Sequence, residues 1–409
     1  MKIFKIFPAF LVLVLLLSLS APAALAQDAP RLTAQAVLLA DLDSGAILYE
    51  QNGDVQRSPA SLTKIMTVLL ALEAAERGEV GLDDPVTAGA DCRSGMRDDS
   101  SSVYLVVGET MSLRDLLYCA AVASGCDACN VIAVHVAGSI PAFVERMNRR
   151  AEELGCSQTR FVDPHGLSYD DLSSARDLYR ICQEALKHPA FLEICDSSSY
   201  IVPATNKRDS RQLKSSNALI SGEGIYGAGY LYEGAHGIKT GYTRAAGYCL
   251  ISTAEHSGMR LLAIVLGCDG PYLSNTETRY SFVDTAKLYD WAFESFRPRP
   301  ILQEGQSLDS VPVLLAGEGA RVGLLPRQSL TLPLPADESD GVAELRITLR
   351  SPALFAPIEA GETLGRVSVL LNGRELVGAD LVAEESVPSV FGLVTALCLR
   401  YFTCFGSSS

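Results

Sequence analysis

The sequence is poor in lysine and has no run of basic residues. It carries 34 lysine and arginine residues against 48 acidic ones, which gives a formal net charge of −14. A nucleic-acid-binding surface needs clustered positive charge, and this balance does not supply it. We therefore expect no nucleic-acid partner. Because lysine is scarce, each lysine that lies within a short motif becomes a candidate for chemistry.

Several common site signatures are also missing. Cys126-Asp127-Ala128-Cys129 could be half of a zinc site or a redox pair, but no second Cys/His pair at zinc spacing accompanies it. Gly222, Gly224 and Gly227 match a dinucleotide fingerprint by letters, without the strand and helix that it needs. No Gly-x-Ser-x-Gly motif of a Ser/His/Asp hydrolase occurs. We expect neither a metal nor a cofactor.

The first 26 residues have the layout of a secretory signal peptide. Lys2 and Lys5 precede an apolar run over residues 9–19, and Ala24-Leu25-Ala26 offers a small-x-small cleavage site. Removal of residues 1–26 would take the net charge from −14 to −16, because two lysines are lost. The sequence therefore predicts an exported protein.

Residues 386–409 form an unusual C-terminal segment. Residues 387–405 are rich in large apolar side chains, and Arg400 interrupts them. A charge within about 19 residues makes a membrane-spanning helix marginal, whereas a helix lying in the membrane interface tolerates it. A last core helix of the preceding domain is the alternative. We expect a membrane-associated segment, with the protein at the outer face of the cytoplasmic membrane or in the cell wall.

The chain has 11 cysteines, an odd number for an exported protein. They show no regular spacing, and a chain of 409 residues does not need disulfides to fold. Buried small apolar residues explain most of them. One or two disulfides remain open.

The hydrophobic pattern predicts two domains between the ends. Over residues 27–298 it predicts a hairpin at 35–52, a buried helix at 61–77, further helices at 112–155, two strands at 247–267 and a closing helix at 276–296. Helices between early and late strands indicate an α/β or α+β domain, with an antiparallel sheet flanked by helices. Over residues 299–385, alternation and the Asn372-Gly373 turn predict a small all-β domain.

Ser61-Leu62-Thr63-Lys64 opens the predicted buried helix. A spacing of three puts Ser61 and Lys64 on one helical face. A buried lysine can act as a base, since burial disfavours the charged form, and the serine beside it can become an acyl-forming nucleophile. An N-cap serine with a solvated lysine is the alternative.

Two further segments gain meaning only beside the first. Lys239-Thr240-Gly241 offers a cation, a hydroxyl and close backbone approach to a substrate carboxylate. Ser124-Gly125-Cys126 precedes a predicted helix, and Ser124 could relay a proton.

Together these motifs resemble those of penicillin-binding proteins and serine β-lactamases, in which Ser-x-x-Lys, Ser-x-Asn and Lys-Thr-Gly follow in this order. The residues around them, such as Pro59-Ala60 and Pro164-His165-Gly166-Leu167, resemble the low-molecular-weight D-alanyl-D-alanine carboxypeptidases of peptidase family S11. The resemblance covers about residues 30–384. It implies a β-lactamase/transpeptidase-like fold followed by a β-rich domain.

The resemblance implies a role for each matching residue. Ser61 would form an acyl-enzyme with the carbonyl between two D-alanines of a peptidoglycan stem, with Lys64 as the base. Ser124 would pass a proton to the leaving D-alanine. β-Lactams would acylate Ser61 as substrate mimics.

The remaining positions would bind the substrate. Lys239 and Thr240 would hold its terminal carboxylate on the strand that contains Gly241. The backbone N–H groups of Ser61 and Tyr242 would form the oxyanion hole.

One position departs from the family pattern. Cys126 stands where the family has asparagine, and Asn130 is four residues too late to replace it. A thiol is a weaker hydrogen-bonding partner than an amide. The change predicts a slower enzyme, or no effect if it is tolerated. It also leaves open a catalytically weak protein that binds penicillin or peptidoglycan.

A β-lactamase is the nearest enzymatic alternative. Class A enzymes carry a deacylating glutamate, usually within Glu-x-x-Leu-Asn, and that motif is absent. The predicted β domain also disfavours a β-lactamase. The sequence therefore favours a serine-type D-Ala-D-Ala carboxypeptidase.

Overall fold

A computed structural model describes residues 29–392, except for residues 225, 274–275, 337–342 and 372. The predicted signal peptide lies outside the described residues. The predicted membrane-associated segment, 386–409, is described only as far as residue 392.

The secondary structure alternates between strands and helices before residue 296 and consists mainly of strands after it. The α-helices are α1 (Lys64–Glu76), α2 (Leu113–Ala121), α3 (Cys126–Ala137), α4 (Ile140–Glu153), α5 (Ala175–Ala185), α6 (Pro189–Cys195) and α7 (Tyr280–Ser295). The strands of the first part are β1 (Ala36–Asp41), β2 (Ile47–Gln51), β3 (Pro85–Thr87), β4 (Thr110–Ser112), β5 (Ser199–Val202), β6 (Arg211–Lys214), β7 (Ala235–Thr243), β8 (Gly247–His256) and β9 (Met259–Cys268). The strands of the second part are β10 (Phe296–Leu302), β11 (Asp309–Leu314), β12 (Arg321–Pro326), β13 (Leu330–Pro335), β14 (Ala343–Leu349), β15 (Leu354–Phe355), β16 (Thr363–Leu371) and β17 (Arg374–Ala383).

A five-stranded antiparallel sheet in the order β2-β1-β9-β8-β7 organises the first part. All six residues of β1 are buried because both faces of the sheet are covered. Ala36, Leu38 and Ala40 join the core formed with α1 to α6, whereas Val37 and Leu39 face α7 and the β domain. The alternation of side chains along a strand thus divides β1 between two cores.

Helix α1 is the central helix of the first core, and its residues 64–74 are all buried. The sequence predicts one helix from residue 61. In the structure, a 3-10 turn over Ala60–Thr63 precedes α1, which begins at Lys64. Ala60, the first residue of this turn, has a left-handed backbone (φ +48°). The chain therefore reaches Ser61 through a strained bend.

The second part is an all-β domain. Its main sheet has the order β14-β16-β17-β12-β11-β15, and β10 pairs with β13. Strands β16 and β17 form the hairpin predicted at Asn372-Gly373. Its buried side chains continue the core under α7. The predicted fold class is confirmed: helices flank an antiparallel sheet, and a small all-β domain follows.

Two properties of the described residues bear on location and redox state. Among them, no single helix is long and apolar enough to cross a membrane, although α3 and α4, bent by 84°, pass that test as a pair. The nine cysteines of the first domain are all free and buried.

Candidate active site

Ser61 lies where the turn before α1 meets the edge strand β7. The backbone around it leaves no space for side chains on two neighbouring glycines. A Cβ on Gly166 would lie 1.8 Å from the carbonyl oxygen of Ala60, and one on Gly241 would lie 3.3 Å from the backbone nitrogen of Ser61. These two glycines allow a loop and a strand to hold the serine from both sides.

Lys64 is fully buried beside Ser61 and is bound from three parts of the chain. Its Nζ donates to Ser61 Oγ at 2.8 Å and to the backbone carbonyl of His165 at 2.7 Å, and it lies 3.5 Å from Cys126 Sγ. It forms no salt bridge with any acidic side chain that the structure describes. The amine is therefore held by neutral acceptors and points at the serine hydroxyl.

Cys126 is the first residue of α3, and its N–H donates to the carbonyl of Ser101 at 2.9 Å. Asp127 accepts hydrogen bonds from the backbone of Val103 and Leu105, which fastens the same loop to α3. Ser124, just before the helix, is buried and has a left-handed backbone (φ +59°). The second motif is therefore held in place by the loop over residues 101–105.

Asn130 does not replace the missing amide of the second motif. Its Nδ2 donates to the carbonyls of Cys92 and Ser94, at 3.2 and 2.9 Å. At the position of the family asparagine, only the Cys126 thiol faces Lys64.

Lys239 lies on β7 and is buried. Its Nζ donates to the Thr240 carbonyl at 3.1 Å, and no described carboxylate pairs with it. Burial, reinforced by the positive charge of Lys64, lowers the pKa of Lys239 to about 7. The site therefore has an unpaired cationic group that an anion would stabilise.

Thr240, next to Lys239, points its hydroxyl to Ser216, with 2.6 Å between the two side-chain oxygens. Ser216 lies after β6 in a segment that the sequence analysis did not single out. A lone serine in a loop carries no signal of its own. Only the structure, in which β7 places Thr240 beside Ser216, shows that this serine belongs to the site.

The loop over residues 163–171 holds the backbone that binds Lys64. Asp163 accepts hydrogen bonds from the N–H groups of His165 (2.8 Å), Gly166 (2.5 Å) and Ser168 (2.8 Å). Although burial alone would raise the pKa of Asp163, these bonds and the His165 ring, 2.9 Å away, hold it below its usual value. An ionised Asp163 thus aims the His165 carbonyl at Lys64.

A second, fully buried carboxyl supports this loop. Asp171 Oδ1 accepts from the N–H of Val162 at 2.7 Å, while its Oδ2 has no donor. Burial, followed by the negative charge of Asp163, raises the pKa of Asp171 to about 8. Asp171 is therefore protonated at neutral pH and can donate its proton to Asp163. Sequence reasoning missed both aspartates, although the neighbouring Pro164-His165-Gly166-Leu167 was recognised.

One group of potential metal ligands lies at the far end of α1. Donor atoms of Glu73, Glu184 and His188 fall within 4.8 Å of one another. The guanidinium of Arg150 lies between the two glutamates, 2.8 Å from each. Arg150 therefore supplies the positive charge that balances these two carboxylates.

The Asp171→Asn variant tests the protonated carboxyl. The folded pKa of Asp171, about 8, lies above the ordinary aspartate pKa of 3.8, so folding takes up a proton between these pH values. The contribution of this group to stability therefore falls as pH rises from about 4 to about 8. Asparagine cannot ionise, so the free energy of unfolding of the variant should fall less steeply with pH than that of the wild type. Between pH 5 and 8 the two slopes should differ by up to ~1.4 kcal/mol per pH unit. Urea unfolding at several pH values measures this.

Asp171→Ala is the matched control. It leaves the N–H of Val162 without its acceptor and should destabilise the protein at every pH by about 1–3 kcal/mol. An unchanged pH slope in Asp171→Asn would show that Asp171 is ionised in the folded protein.

Comparisons with known proteins match both parts of the chain. Residues 23–270 match the peptidase S11 family, described as D-alanyl-D-alanine carboxypeptidase. Residues 296–389 match the family described as penicillin-binding protein 5, C-terminal domain. The D-alanyl-D-alanine carboxypeptidase DacF of Bacillus subtilis is 29% identical over 400 residues, which cover 96% of this chain and 97% of DacF.

Two solved structures extend the comparison. Penicillin-binding protein 5 of Haemophilus influenzae is 30% identical, with a TM-score of 0.74 over 89% of this chain and all of that one. The ampicillin-bound penicillin-binding protein D2 of Listeria monocytogenes is 32% identical, with a TM-score of 0.54 over 65% of this chain and all of that one. This chain belongs to the peptidase S11 family of D-alanyl-D-alanine carboxypeptidases.

Proposed function

We propose that this chain removes the terminal D-alanine from peptidoglycan stem peptides through an acyl-enzyme at Ser61. The observation that carries the proposal is the Lys64 amine, 2.8 Å from Ser61 Oγ and without a carboxylate partner among the described residues. A lysine paired with a carboxylate would stay charged and could not accept a proton. Among the described residues, the serine hydroxyl is its only side-chain oxygen partner.

Substrate binding stabilises the charged form of Lys239. The site holds two lysines and no described carboxylate, so two simultaneous positive charges are unfavourable. When the terminal carboxylate of the substrate reaches Lys239 and Thr240, it stabilises the ammonium form of Lys239. Lys64 stays beside Ser61 as the base of the reaction.

Acylation follows from this arrangement. Ser61 Oγ attacks the carbonyl carbon between the two D-alanines while Lys64 Nζ takes the hydroxyl proton. The N–H groups of Ser61 and Tyr242 stabilise the oxyanion. When the C–N bond breaks, the proton passes from Lys64 through Ser124 to the leaving nitrogen, and free D-alanine departs.

Deacylation uses the same base. With D-alanine gone, water enters beside the ester, and Lys64 takes its proton as the water oxygen attacks the acyl carbon. The C–O bond to Ser61 breaks, and the proton returns to Ser61 Oγ. No metal or cofactor takes part in these steps.

β-Lactams enter the same site as substrate mimics. Their ring carbonyl corresponds to the scissile carbonyl, and their carboxylate corresponds to the substrate carboxylate at Lys239. The relative from Listeria monocytogenes was solved with ampicillin bound, which supports β-lactam binding by this chain. We expect penicillins to acylate Ser61.

The protein acts outside the cytoplasm, as its family does. We place it more closely, at the outer face of the cytoplasmic membrane. The support is the composition of residues 386–409, which is apolar with few charges.

Release of free D-alanine tests the proposed function. The full mature chain should release it from diacetyl-L-Lys-D-Ala-D-Ala, and Ser61→Ala should reduce the rate at least about a thousandfold, because the covalent route is lost. A coupled D-amino-acid oxidase assay measures the product, and circular dichroism checks folding. If well-folded protein bound penicillin covalently without releasing D-alanine, the weakly catalytic binding protein would be the better description.

Cys126→Asn tests the departure from the family pattern. An amide is a stronger partner for Lys64 and substrate than the thiol, which lies 3.5 Å from Nζ. A contact worth about 1–3 kcal/mol corresponds to a roughly ten- to hundredfold gain in kcat/KM. Cys126→Ala is the control and should differ little from the wild type. A gain in neither variant would show that the site does not need the amide.

Proton uptake tests the role of Lys239. Because its pKa in the free enzyme is about 7, a bound carboxylate should recharge it at pH 8, with uptake of close to one proton. The peptide should then bind Ser61→Ala about tenfold more weakly at pH 8 than at pH 6. Calorimetry in buffers of different ionisation enthalpy measures both quantities.

The double variant Ser61→Ala/Lys239→Arg provides the matched control. A guanidinium stays charged throughout this range, so binding should take up no proton. If both proteins took up the same number of protons, the titrating group would not be Lys239.

A further inference from the structure

One end of the β domain carries a cluster of exposed apolar side chains. Leu314, Leu315 and Phe355 are each about half exposed (49, 50 and 53%), and Val390 is 39% exposed. Strands β11 and β15 place Leu314 beside Phe355, and the Leu315 carbonyl accepts from the N–H of Val390 at 2.9 Å. We call Leu314, Leu315, Phe355, Val390 and the following Phe391 the apolar tip.

Apolar exposure in this domain is concentrated at the apolar tip. Six large hydrophobic residues are substantially exposed in the described part of residues 296–392, and five of them belong to it. The sixth, Leu345, lies on β14, at the opposite edge of the sheet from β15. Scattered exposed leucines are ordinary, but a contiguous group marks an interaction surface.

The three segments that build the apolar tip are also free of charge. Residues 311–317, 351–358 and 386–392 contain no aspartate, glutamate, lysine or arginine, although these make up 20% of the chain. A surface that recognised a charged partner would carry the opposite charge. The apolar tip instead suits an apolar, weakly polar environment.

Leu315 adds a local conformational cost to this exposure. Its backbone is left-handed, with φ +58°. For a residue with a side chain, such a backbone costs of order 1 kcal/mol of conformational free energy, and glycine would not have this cost. Neither the strain nor the exposed side chain stabilises the domain, which indicates that Leu315 serves a surface function.

The chain itself indicates what this surface meets. Val390, bonded to Leu315, is only three residues before the undescribed part of the 386–409 segment. Three residues span at most about 11 Å. Whatever surface receives that segment therefore lies next to Leu315. This step rests on the membrane attachment proposed above.

We propose that the apolar tip inserts into the membrane interface, so that its β-domain residues add a second contact to that of the C-terminal segment. Leu314, Leu315 and Phe355 enter the boundary between headgroups and acyl chains, where apolar side chains are favoured. Because the apolar tip has no charge and the protein is acidic, the attraction is hydrophobic and does not require anionic lipid.

Vesicle binding tests the proposal with the full mature chain. The triple variant Leu314→Ser, Leu315→Gly, Phe355→Ser should bind phosphatidylcholine vesicles about ten- to a hundredfold more weakly than the wild type. Leu345→Ser, which removes a similarly exposed leucine away from the apolar tip, is the matched control and should bind normally. Release of D-alanine from a soluble peptide should be unchanged in all three proteins.

A fluorescence measurement locates the contact directly. Tryptophan in Leu315→Trp should shift to the blue when vesicles are added, whereas tryptophan in Leu345→Trp should not. Normal binding by the triple variant together with no shift at position 315 would overturn the proposal and leave attachment to the C-terminal segment alone.

Two other outcomes also contradict it. A wild-type chain that releases D-alanine but binds no vesicles would remove the membrane attachment and this contact together, without affecting the proposed activity. If the wild type were dimeric without lipid and the triple variant monomeric, the apolar tip would be an interface between two copies of this chain.

Discussion

The active site depends on burying one amine without giving it a counter-ion. Lys64 donates to the hydroxyl of Ser61, in the turn just before its helix, and to the carbonyl of His165. The thiol of Cys126 on α3 lies beside it. Burying an amine is costly unless hydrogen bonds satisfy it. A carboxylate partner would stabilise the buried amine more strongly, but it would also keep the amine protonated. The surrounding loops supply neutral acceptors instead, and their positions follow from this requirement.

Negative charge is present near the site but is kept one layer away. The Asp163 carboxylate accepts hydrogen bonds from backbone N–H groups and lies against the His165 ring. Asp171, behind it, is protonated. The aspartates therefore fix the shape of the loop, and the group that the loop presents to Lys64 is a neutral carbonyl oxygen. The arrangement separates the task of holding the backbone from that of presenting an acceptor.

The sequence predicts the fold class and the main chemical residues because both leave marks in residue type. The run at β1, the Asn372-Gly373 turn and the Ser61–Lys64 spacing are such marks. Backbone carbonyls leave none, since any residue supplies one, so the role of His165 was not predictable. The helix start at Lys64 was also missed, because a 3-10 turn and an α-helix share the same apolar residues. The apolar tip joins three distant segments and emerges only from the strand pairing.

The nine buried thiols impose a time limit on folding. A thiol inside the packed core is out of reach of oxidants, and burial raises the pKa of Cys249, for example, to about 11. In the unfolded exported chain, the same thiols are exposed and reactive. Chain collapse takes microseconds, whereas disulfides form over seconds to hours. A chain that folded more slowly than disulfides form would therefore be open to wrong disulfides, however stable its native state.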